Sequence, residues 1–479
     1  MASISSLGLG SNIDAENIIT QLMAAEKVPI TKVEAENTKL ETKLSTWGRI
    51  QSSFSALKDA SAALTKDSFW SATSATSSDD KSVSVSTTSS TASGNYSIQV
   101  NQLAKSQYLA SSSFSAKDAV VGDGTIRIEL GTFTANPVAP PAATFAAKAA
   151  ASAVDIDIGP GDNTLEKIRD KINAANAGVT ASLVYDATGA RLVLRGAPGS
   201  DNAMKISVTE GATPGLSALA YDPSSDITAM SETQAATDAK ATINGVPVTS
   251  STNTFSDVID GLTIQVGKVT TEPVEVNVKQ DNESIRKGIE AFRSAYNDVV
   301  GLIRVQTLYD EGSKTAGPLQ GDSTATGLLG QLRSMAYSSS SGSSLFSRLT
   351  DIGLTAAKDG TLSVDNAKLD TAMGKLPELK AFFATSDEAN PSREGLAERF
   401  RKLASQVSDS EGSISSRTEG IKGSIKRNED KIERLETRSS LIENRLRAQY
   451  TALDQSMAKL NSLSSYVTAQ LSALNKSSS

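Results

Sequence analysis

The chain has 479 residues, a length typical of about three domains. Hydrophobic residues make up 38% of the sequence and aromatic residues 5%, which favours long helices and thin β-domains over one thick core. The net charge of −7, without a dense basic cluster, argues against a nucleic-acid-binding protein. No apolar run approaches the roughly 20 residues of a membrane span, so we expect no membrane insertion.

Cysteine and histidine are both absent from the sequence. The first absence removes disulfides and a thiol nucleophile, and the second removes the most common general base and metal ligand. We therefore expect neither catalysis nor a cofactor or metal. A glycosidase with two catalytic carboxylates would also need an aromatic-lined cleft, which two tryptophans and thin β-domains do not favour. The acidic pairs Asp79–Asp80 and Asp155–Asp157 lack the ligand spacing of a calcium loop.

The N-terminal segment "MASISSLGLGSNIDAENIIT" has no basic region, apolar core or cleavage signature of a secretory signal peptide. This pattern predicts a cytoplasmic protein or one exported by another route. Its glycines, Gly8 and Gly10, follow no predicted strand, so a flexible export segment is favoured over a phosphate-binding loop.

Residues 14–65 have helical periodicity, with Asp14 or Asn12 as the predicted N-cap. Pro29 is expected to interrupt this helix and to begin the next one. The second helix then carries an apolar residue every seventh position, which predicts a coiled-coil-like seam. The seam residues are Val33, Leu40, Trp47 and Phe54.

After Trp70 the sequence is rich in serine and threonine and alternates with period two, which predicts strands. Residues 155–194 predict a small β-α-β-β module, with Asn163 or Thr164 as the helix N-cap and Gly178 just after its C-terminus. Residues 240–279 predict a second β segment. Helices are then predicted from residue 282 onward and near 325–336 and 366–385, with a hairpin turning at Asp359–Gly360.

From Ser424 to the end there is neither Gly nor Pro, enough for a helix on the order of 80 Å long. Beyond Ala448 it carries only Asp454, Lys459 and Lys476 as charged residues. One heptad row runs along it, broken at Ser439: Ile425, Ile432, Leu446, Leu453, Leu460, Val467 and Leu474. This row predicts an interface, either within the chain or between subunits. Because such a helix is marginal alone in water, we expect the extreme ends to order on assembly.

The pattern predicts an α+β multidomain protein, in which long N- and C-terminal helices form a coiled-coil or helical-bundle leg below two mainly-β head domains. One head domain contains the β-α-β-β module. The predicted domains are a terminal helical region, disordered in the free subunit, a helical leg, a β-rich head domain and a second head domain. Their respective ranges are 1–45 plus 425–479, 46–72 plus 281–424, 73–125 plus 230–280, and 126–229.

Four segments of the sequence together resemble one protein family. In chain order they are "SISSLGLGSNIDAENIITQLMAAEKVPITKVE", "NTLEKIRDKINAANAGVTASLV", "AKATINGVPVTSSTNTFSDVIDGLTIQV" and "RTEGIKGSIKRNEDKIERLETR" with the uncharged tail after it. They resemble the bacterial flagellar filament cap protein family, hook-associated protein 2 (FliD). The first resembles the family's N-terminus, the second an insert that flagellin shares, the third its second head segment and the fourth its end. The four occur in the family's order.

This resemblance implies export without a cleaved signal peptide through the flagellar type III channel and assembly as a pentamer-like homo-oligomeric ring at the filament tip. There the family promotes flagellin polymerisation and prevents loss of exported monomers. The implied partners are flagellin, the hook–filament junction proteins and an export chaperone at the C-terminal helix. The alternative from the residues is a secreted adhesin with a helical stalk and a β-rich head, since similar β-domains serve adhesion.

Overall fold

The computed structural model describes residues 14–135, 143–312 and 314–477, with side chains described as far as residue 473. The chain divides into two compact units, Met1–Trp70 with Ile285–Ser479 and Ser71–Ser284. The helices are α1 (Ala15–Thr65), α2 (Asp67–Trp70), α3 (Leu165–Ala174), α4 (Asn282–Thr307), α5 (Ser323–Tyr337), α6 (Asn366–Met373), α7 (Leu376–Ala384), α8 (Leu396–Ser408) and α9 (Ser413–Ser477).

The strands of the second unit are β1 (Thr73–Ser77), β2 (Val83–Thr87), β3 (Gly94–Gln102), β4 (Ser106–Ala110), β5 (Gly124–Ala135), β6 (Ala143–Ala147), β7 (Val154–Ile158), β8 (Val179–Asp186), β9 (Gly189–Pro198), β10 (Ala203–Glu210), β11 (Tyr221–Asp222), β12 (Ile227–Thr228), β13 (Ser231–Gln234), β14 (Ala239–Ile243), β15 (Val246–Ser250), β16 (Thr254–Ile259), β17 (Leu262–Val266) and β18 (Val274–Gln280). Two short hairpins of the helical unit follow: β19 (Tyr309–Asp310) with β20 (Thr315–Ala316), and β21 (Leu354–Ala356) with β22 (Leu362–Val364). The chain has long helices at its N- and C-terminal ends and β-rich domains in the middle of its sequence, which confirms the predicted fold class.

Helix α1 is continuous, so the predicted interruption at Pro29 is wrong. The helix begins where predicted, because the Asp14 carboxylate accepts the Asn17 N–H at 3.1 Å. Pro29 and Ala25 are both exposed. Water can therefore satisfy the Ala25 carbonyl that loses its helical partner at the proline. Ile30 and Val33, just beyond the proline, are buried. Their packing keeps the segments before and after Pro29 in one continuous helix.

The helical unit has one aromatic-rich core that includes side chains from α1, α4, α7 and α8. Trp47 and Phe54 of α1 are fully buried in it. The ring of Phe292 on α4 meets that of Phe400 on α8 edge to face, with centroids 5.2 Å apart. Edge-to-face pairs add to the free energy of burial. The core therefore joins helices from both ends of the chain.

The predicted hairpin at Asp359–Gly360 is confirmed. The buried Tyr296 hydroxyl on α4 donates to the Gly360 carbonyl at 3.0 Å. Gly360 has φ +89°, a conformation that favours glycine. Burial raises the pKa of Tyr296 to about 12, so the phenol stays a hydrogen-bond donor.

The β unit contains two cores. The first lies with a five-stranded sheet in the order β1-β18-β3-β14-β15 and a three-stranded sheet, β16-β17-β2. The second lies with a sheet in the order β12-β11-β10-β5-β6, whose β5 also pairs with β7, and a four-stranded sheet, β13-β4-β9-β8. Strand β4 pairs with β9 and β13, so its Leu109 belongs to the second core.

The elements of the predicted β-α-β-β module are present, but they do not share one sheet. Strand β7 pairs with β5, whereas β8 and β9 form a hairpin beside β4. Leu165, Ile168 and Ile172 of α3 are buried in the core that both sheets share. Local pattern predicted the elements, but strand pairing over long sequence separation decided their sheets.

The ends of α3 differ in detail from the prediction. Thr164 occupies the N-cap position, but its side chain makes no capping hydrogen bond. The helix ends at Ala174, so Asn176 (φ +51°) and not Gly178 takes the left-handed position just after it, although Gly178 is left-handed too (φ +74°). Asparagine is the common substitute for glycine at this position.

Asn173, near the end of α3, closes part of the free edge of β8. The side-chain oxygen of Asn173 accepts a hydrogen bond from the Ala181 N–H at 2.8 Å, and its side-chain NH₂ donates one to the Ala181 carbonyl at 2.9 Å. These are backbone groups that a further strand would otherwise pair with.

Across the described ranges, none of the helices is apolar enough over a sufficient length to cross a membrane.

Two residues of the predicted interface differ sharply in burial, which generates a stability prediction. Phe54 is fully buried, whereas Leu460 is 58% exposed. We expect Phe54→Ala to lower the free energy of unfolding of the helical unit by about 3–5 kcal/mol, through lost contacts and a cavity. We expect Leu460→Ala to change it by less than about 0.5 kcal/mol. Denaturant unfolding followed by circular dichroism measures both, and equal effects would contradict the assignment.

Candidate functional site: the paired terminal helices

The first half of α1 and the middle of α9 run antiparallel. Two ion pairs fix their alignment: Arg447 Nη2 lies 2.8 Å from Glu16 Oε1, and Arg438 Nε lies 3.3 Å from Glu26 Oε1. Moving forward along α1 therefore means moving backward along α9. The beginning of α1 lies beside residues 438–447 of α9.

An apolar row on each helix fills the seam between them. On α1, Ile19, Met23, Ile30 and Val33 are buried. On α9, three residues of the predicted row are half-buried: Ile425, Ile432 and Leu446. Leu40 and Ile425 also pack against the core of the helical unit. Over this stretch the row lies against α1 of the same chain.

Polar groups interrupt this seam. Asn37 Oδ1 and Ser439 Oγ are buried and have no hydrogen-bond partner within the part of the chain that the structure describes. An unpaired buried polar group costs about 1–3 kcal/mol. Such residues lower the stability of a helix pair and restrict the registers it can adopt. The seam is therefore less stable than an all-apolar one of the same length.

Arg447 links three carboxylate contacts at the end of the seam. Besides its two bonds to Glu16, it donates to Glu443 Oε1 at 3.0 Å on its own helix. The hydrogen bonds from Arg447 hold the pKa of Glu16 below its usual value of 4.5. The same contacts raise the pKa of Arg447. The pair therefore stays ionised at neutral pH.

Beyond Tyr450 the apolar row of α9 is exposed. Five aliphatic side chains between 42% and 60% exposed lie within less than six turns of helix. They are Leu453, Leu460, Leu463, Val467 and Leu471. The last member of the predicted row, Leu474, lies on the helix backbone, but its side chain is outside the described residues. We call this segment, 453–471, the exposed row.

The sequence predicts two heptad rows, one on the N-terminal helix and one on the C-terminal helix, and in the structure their residues lie in three different environments. Trp47 and Phe54 lie in the core, Val33, Leu40, Ile425, Ile432 and Leu446 lie in or beside the seam, and the exposed row has no apolar cover. Sequence reasoning missed the ion pairs Glu16–Arg447 and Glu26–Arg438. The only available signal was opposite charge on two distant helices, and pairing the charges requires the register that only the fold supplies.

The ion pair at the end of the seam generates a pH prediction. Because the folded-state pKa of Glu16 is lowered, its stabilising effect is present above the unfolded value and is lost as the pH falls through the folded one. We expect amide protection of residues 15–24 in the unmodified chain to fall only once the pH drops below 4.5, the ordinary pKa of a glutamate. In Glu16→Gln it should already be reduced at neutral pH and should change less with acidification.

Hydrogen exchange corrected for intrinsic rates measures this effect. Glu36→Gln is the matched control, since Glu36 is exposed on the same helix and has no ion-pair partner among the residues described. Equal behaviour of the two variants would show that the Glu16 contact does not hold the end of α1.

Comparisons with known proteins relate the whole chain to one family. The family model for the C-terminus of flagellar hook-associated protein 2 matches residues 236–462, and that for its N-terminus matches residues 11–107. The flagellin hook IN motif matches residues 144–197. Flagellar hook-associated protein 2 of Escherichia coli K12 is 32% identical, with 98% of each chain covered. The A-type protein of Pseudomonas aeruginosa is 30% identical, covering 98% of this chain and 97% of its own length.

A solved structure is also similar over most of the chain. The crystal structure of the flagellar cap protein FliD D1-D2-D3 domains from Escherichia coli has a TM-score of 0.64 and 29% sequence identity. It covers 79% of this chain and 99% of the solved one. Full-length relatives, ordered family segments and a shared three-dimensional arrangement lead to one conclusion. The chain belongs to the flagellar hook-associated protein 2 family.

Proposed function

We propose that this protein caps the distal end of the flagellar filament as a homo-oligomer and uses the exposed row of α9 to bind other axial helices. As the cap, it promotes flagellin polymerisation at the tip and prevents loss of exported monomers. Membership of the family supports this role over the secreted adhesin, because the matched relatives are flagellar proteins. The protein therefore acts outside the cell, at the tip of the filament.

The exposed row is the observation that carries the proposal. A helix with five exposed aliphatic side chains and, from 453 to 471, only Asp454 and Lys459 as charges has a poorly solvated surface. Exposed apolar surface of this kind marks an interaction site. Filament and cap subunits that pack helix against helix would cover it. Covering five side chains gives about 1.5–3 kcal/mol for each that becomes fully buried.

Further partners follow from the family and are part of the proposal. They are flagellin, the hook–filament junction proteins and an export chaperone at the C-terminal helix. The exposed row would need such a cover before export, since it promotes aggregation. The proposed role is structural, as in the matched family. Ordering of the terminal helices on assembly stays a prediction.

We propose four domains, with the boundary inside the β unit revised to follow strand pairing. Residues 73–104 with 239–280 hold the first β core, and 105–238 hold the second, which includes β4. The match to the flagellin hook IN motif falls within the second. The terminal region and the helical leg keep the ranges 1–45 plus 425–479 and 46–72 plus 281–424.

The test removes the apolar character of the exposed row without changing its helix. We expect the triple variant Leu453→Ser, Leu460→Ser and Val467→Ser to fold with an unchanged melting temperature but to lose capping. In a strain without its own cap protein, complementation by the variant should leave cells non-motile and flagellin monomer in the medium. The unmodified chain should restore motility.

The matched control changes the opposite side of the same helix segment. Ala458→Ser, Ser462→Ala and Ala469→Ser lie roughly half a turn from the row, by the 100° spacing of a helix. This variant should cap normally. The proposal fails if the apolar-row variant restores motility and retains flagellin as well as the unmodified chain does.

A further inference from the structure

A groove runs along one side of the α1–α9 pair. On α1 it is lined by Met23, Lys27 and Thr31, and on α9 by Glu436, Ser439 and Glu443. Met23 at its floor is 5% exposed. The lining residues Thr31, Ser439 and Ser440 are small, which leaves space between the two helices. A two-helix pair with an open groove lacks the third helix that would complete a packed bundle.

Ser439 shows that the groove is incomplete. The residue lines the groove and is 4% exposed, and its hydroxyl oxygen has no hydrogen-bond partner within the described ranges. Buried hydroxyl groups are nearly always hydrogen-bonded in native proteins. A side chain entering the groove from outside would supply the missing partner.

An apolar stripe lies on the opposite side of α1 at the same height. Ile18 and Leu22 are 37% and 47% exposed, and Ala25 and Pro29 follow them on the same face. With 3.6 residues per turn, Ala24 of the groove side lies about 160° around the helix from Leu22. We call Ile18, Leu22, Ala25 and Pro29 the outer stripe.

We propose that the outer stripe of one copy packs into the α1–α9 groove of the next copy, so that the second copy is the occupant of the groove. This inference rests on the proposed function and names the contact between neighbouring subunits of the cap. The chain cannot fill its own groove with the stripe, because both lie on opposite faces of one continuous helix. Two copies in the same orientation, placed side by side without an axial shift, bring stripe and groove together.

The charges fit this arrangement. Glu34 and Glu436 line the groove, and within the described residues neither has an ion-pair partner. Lys32 is exposed at the end of the stripe and has no ion-pair partner there either. In the side-by-side arrangement, Lys32 of one copy approaches Glu34 of the next. The contact is heterologous, since two different surfaces meet, and such contacts close into rings when the rotation allows it.

The absence of cysteine makes a disulfide test clean. Leu22→Cys places a thiol on the stripe, and Ala24→Cys places one on the groove side at nearly the same height. We expect the two variants, co-expressed in a strain without its own cap protein, to form a cross-linked dimer on isolated filament tips. Each variant alone should give little cross-link, because stripe never meets stripe and groove never meets groove.

Gln21→Cys in place of Ala24→Cys is the matched control, as it is exposed, at the same height and outside the groove. The inference is overturned if Leu22→Cys alone cross-links as well as the mixture does, which indicates a two-fold contact. It is also overturned if the mixture restores motility without a cross-link. If neither the unmodified chain nor the mixture restores motility, the proposed function fails instead.

A second variant tests the contact without cysteine. Leu22→Glu places a charge in the stripe, and burying that charge against a neighbouring subunit would be costly. Because the side chain is exposed in the single chain, the stability of that chain should not change. We expect it to reduce motility strongly, whereas Gln21→Glu should not. Melting temperatures of both variants should equal that of the unmodified chain, and an equal motility of both would contradict the contact.

Discussion

The antiparallel contact between α1 and α9 is the interaction on which the helical unit depends. It brings residues 15–40 and 425–450 together, although almost the whole chain lies between them. The contact is continuous with the aromatic core at Trp47 and Phe54, which α8 helps to close. Its own free energy is limited, because Asn37 and Ser439 bury unpaired oxygens and because exposed ion pairs such as Glu26–Arg438 contribute little. The helix pair is therefore anchored at the core end and less stable toward the start of α1.

This gradient matches how the apolar surface is distributed. On α9, Ile414 and Ile421 near the core are buried, the seam residues Ile425, Ile432 and Leu446 are half-buried, and the apolar side chains of the row past Tyr450 are exposed. Toward the end of α9, the chain itself covers less and less of the apolar side chains, and more of their surface is left for other subunits to cover. A cap subunit needs both properties: a fold stable in solution, and helices that still have apolar surface available for neighbours. The density of charged residues along α9 changes at the same place: it is high up to Arg447 and low afterwards.

Much of the fold could be predicted from local pattern. Heptad spacing identified the buried face at Trp47 and Phe54, and period-two alternation identified the strands around Val274–Gln280. Asp359–Gly360 identified the hairpin. The interruption at Pro29 was wrong, because tertiary packing of Ile30 and Val33 outweighs the lost hydrogen bond. The sheet of β7 and the ion pairs of Arg447 could not be predicted, since both depend on which distant segments meet. For the same reason the sequence shows the two heptad rows, but not which of their residues lie in the core, in the seam or in the exposed row.

The burial of α1 against residues from the far end of the chain has a consequence for when the protein can fold. The core that buries Leu57 and Leu64 also contains Phe400 and Ile421. Those residues are synthesised, and in a threading process delivered, hundreds of residues later. Contacts of such large sequence separation form slowly and only after the intervening chain is present. A half-delivered chain thus has no stable helical unit to obstruct its passage. Cooperative closure becomes possible only after the chain has arrived as far as Ile421, the last buried residue of the core.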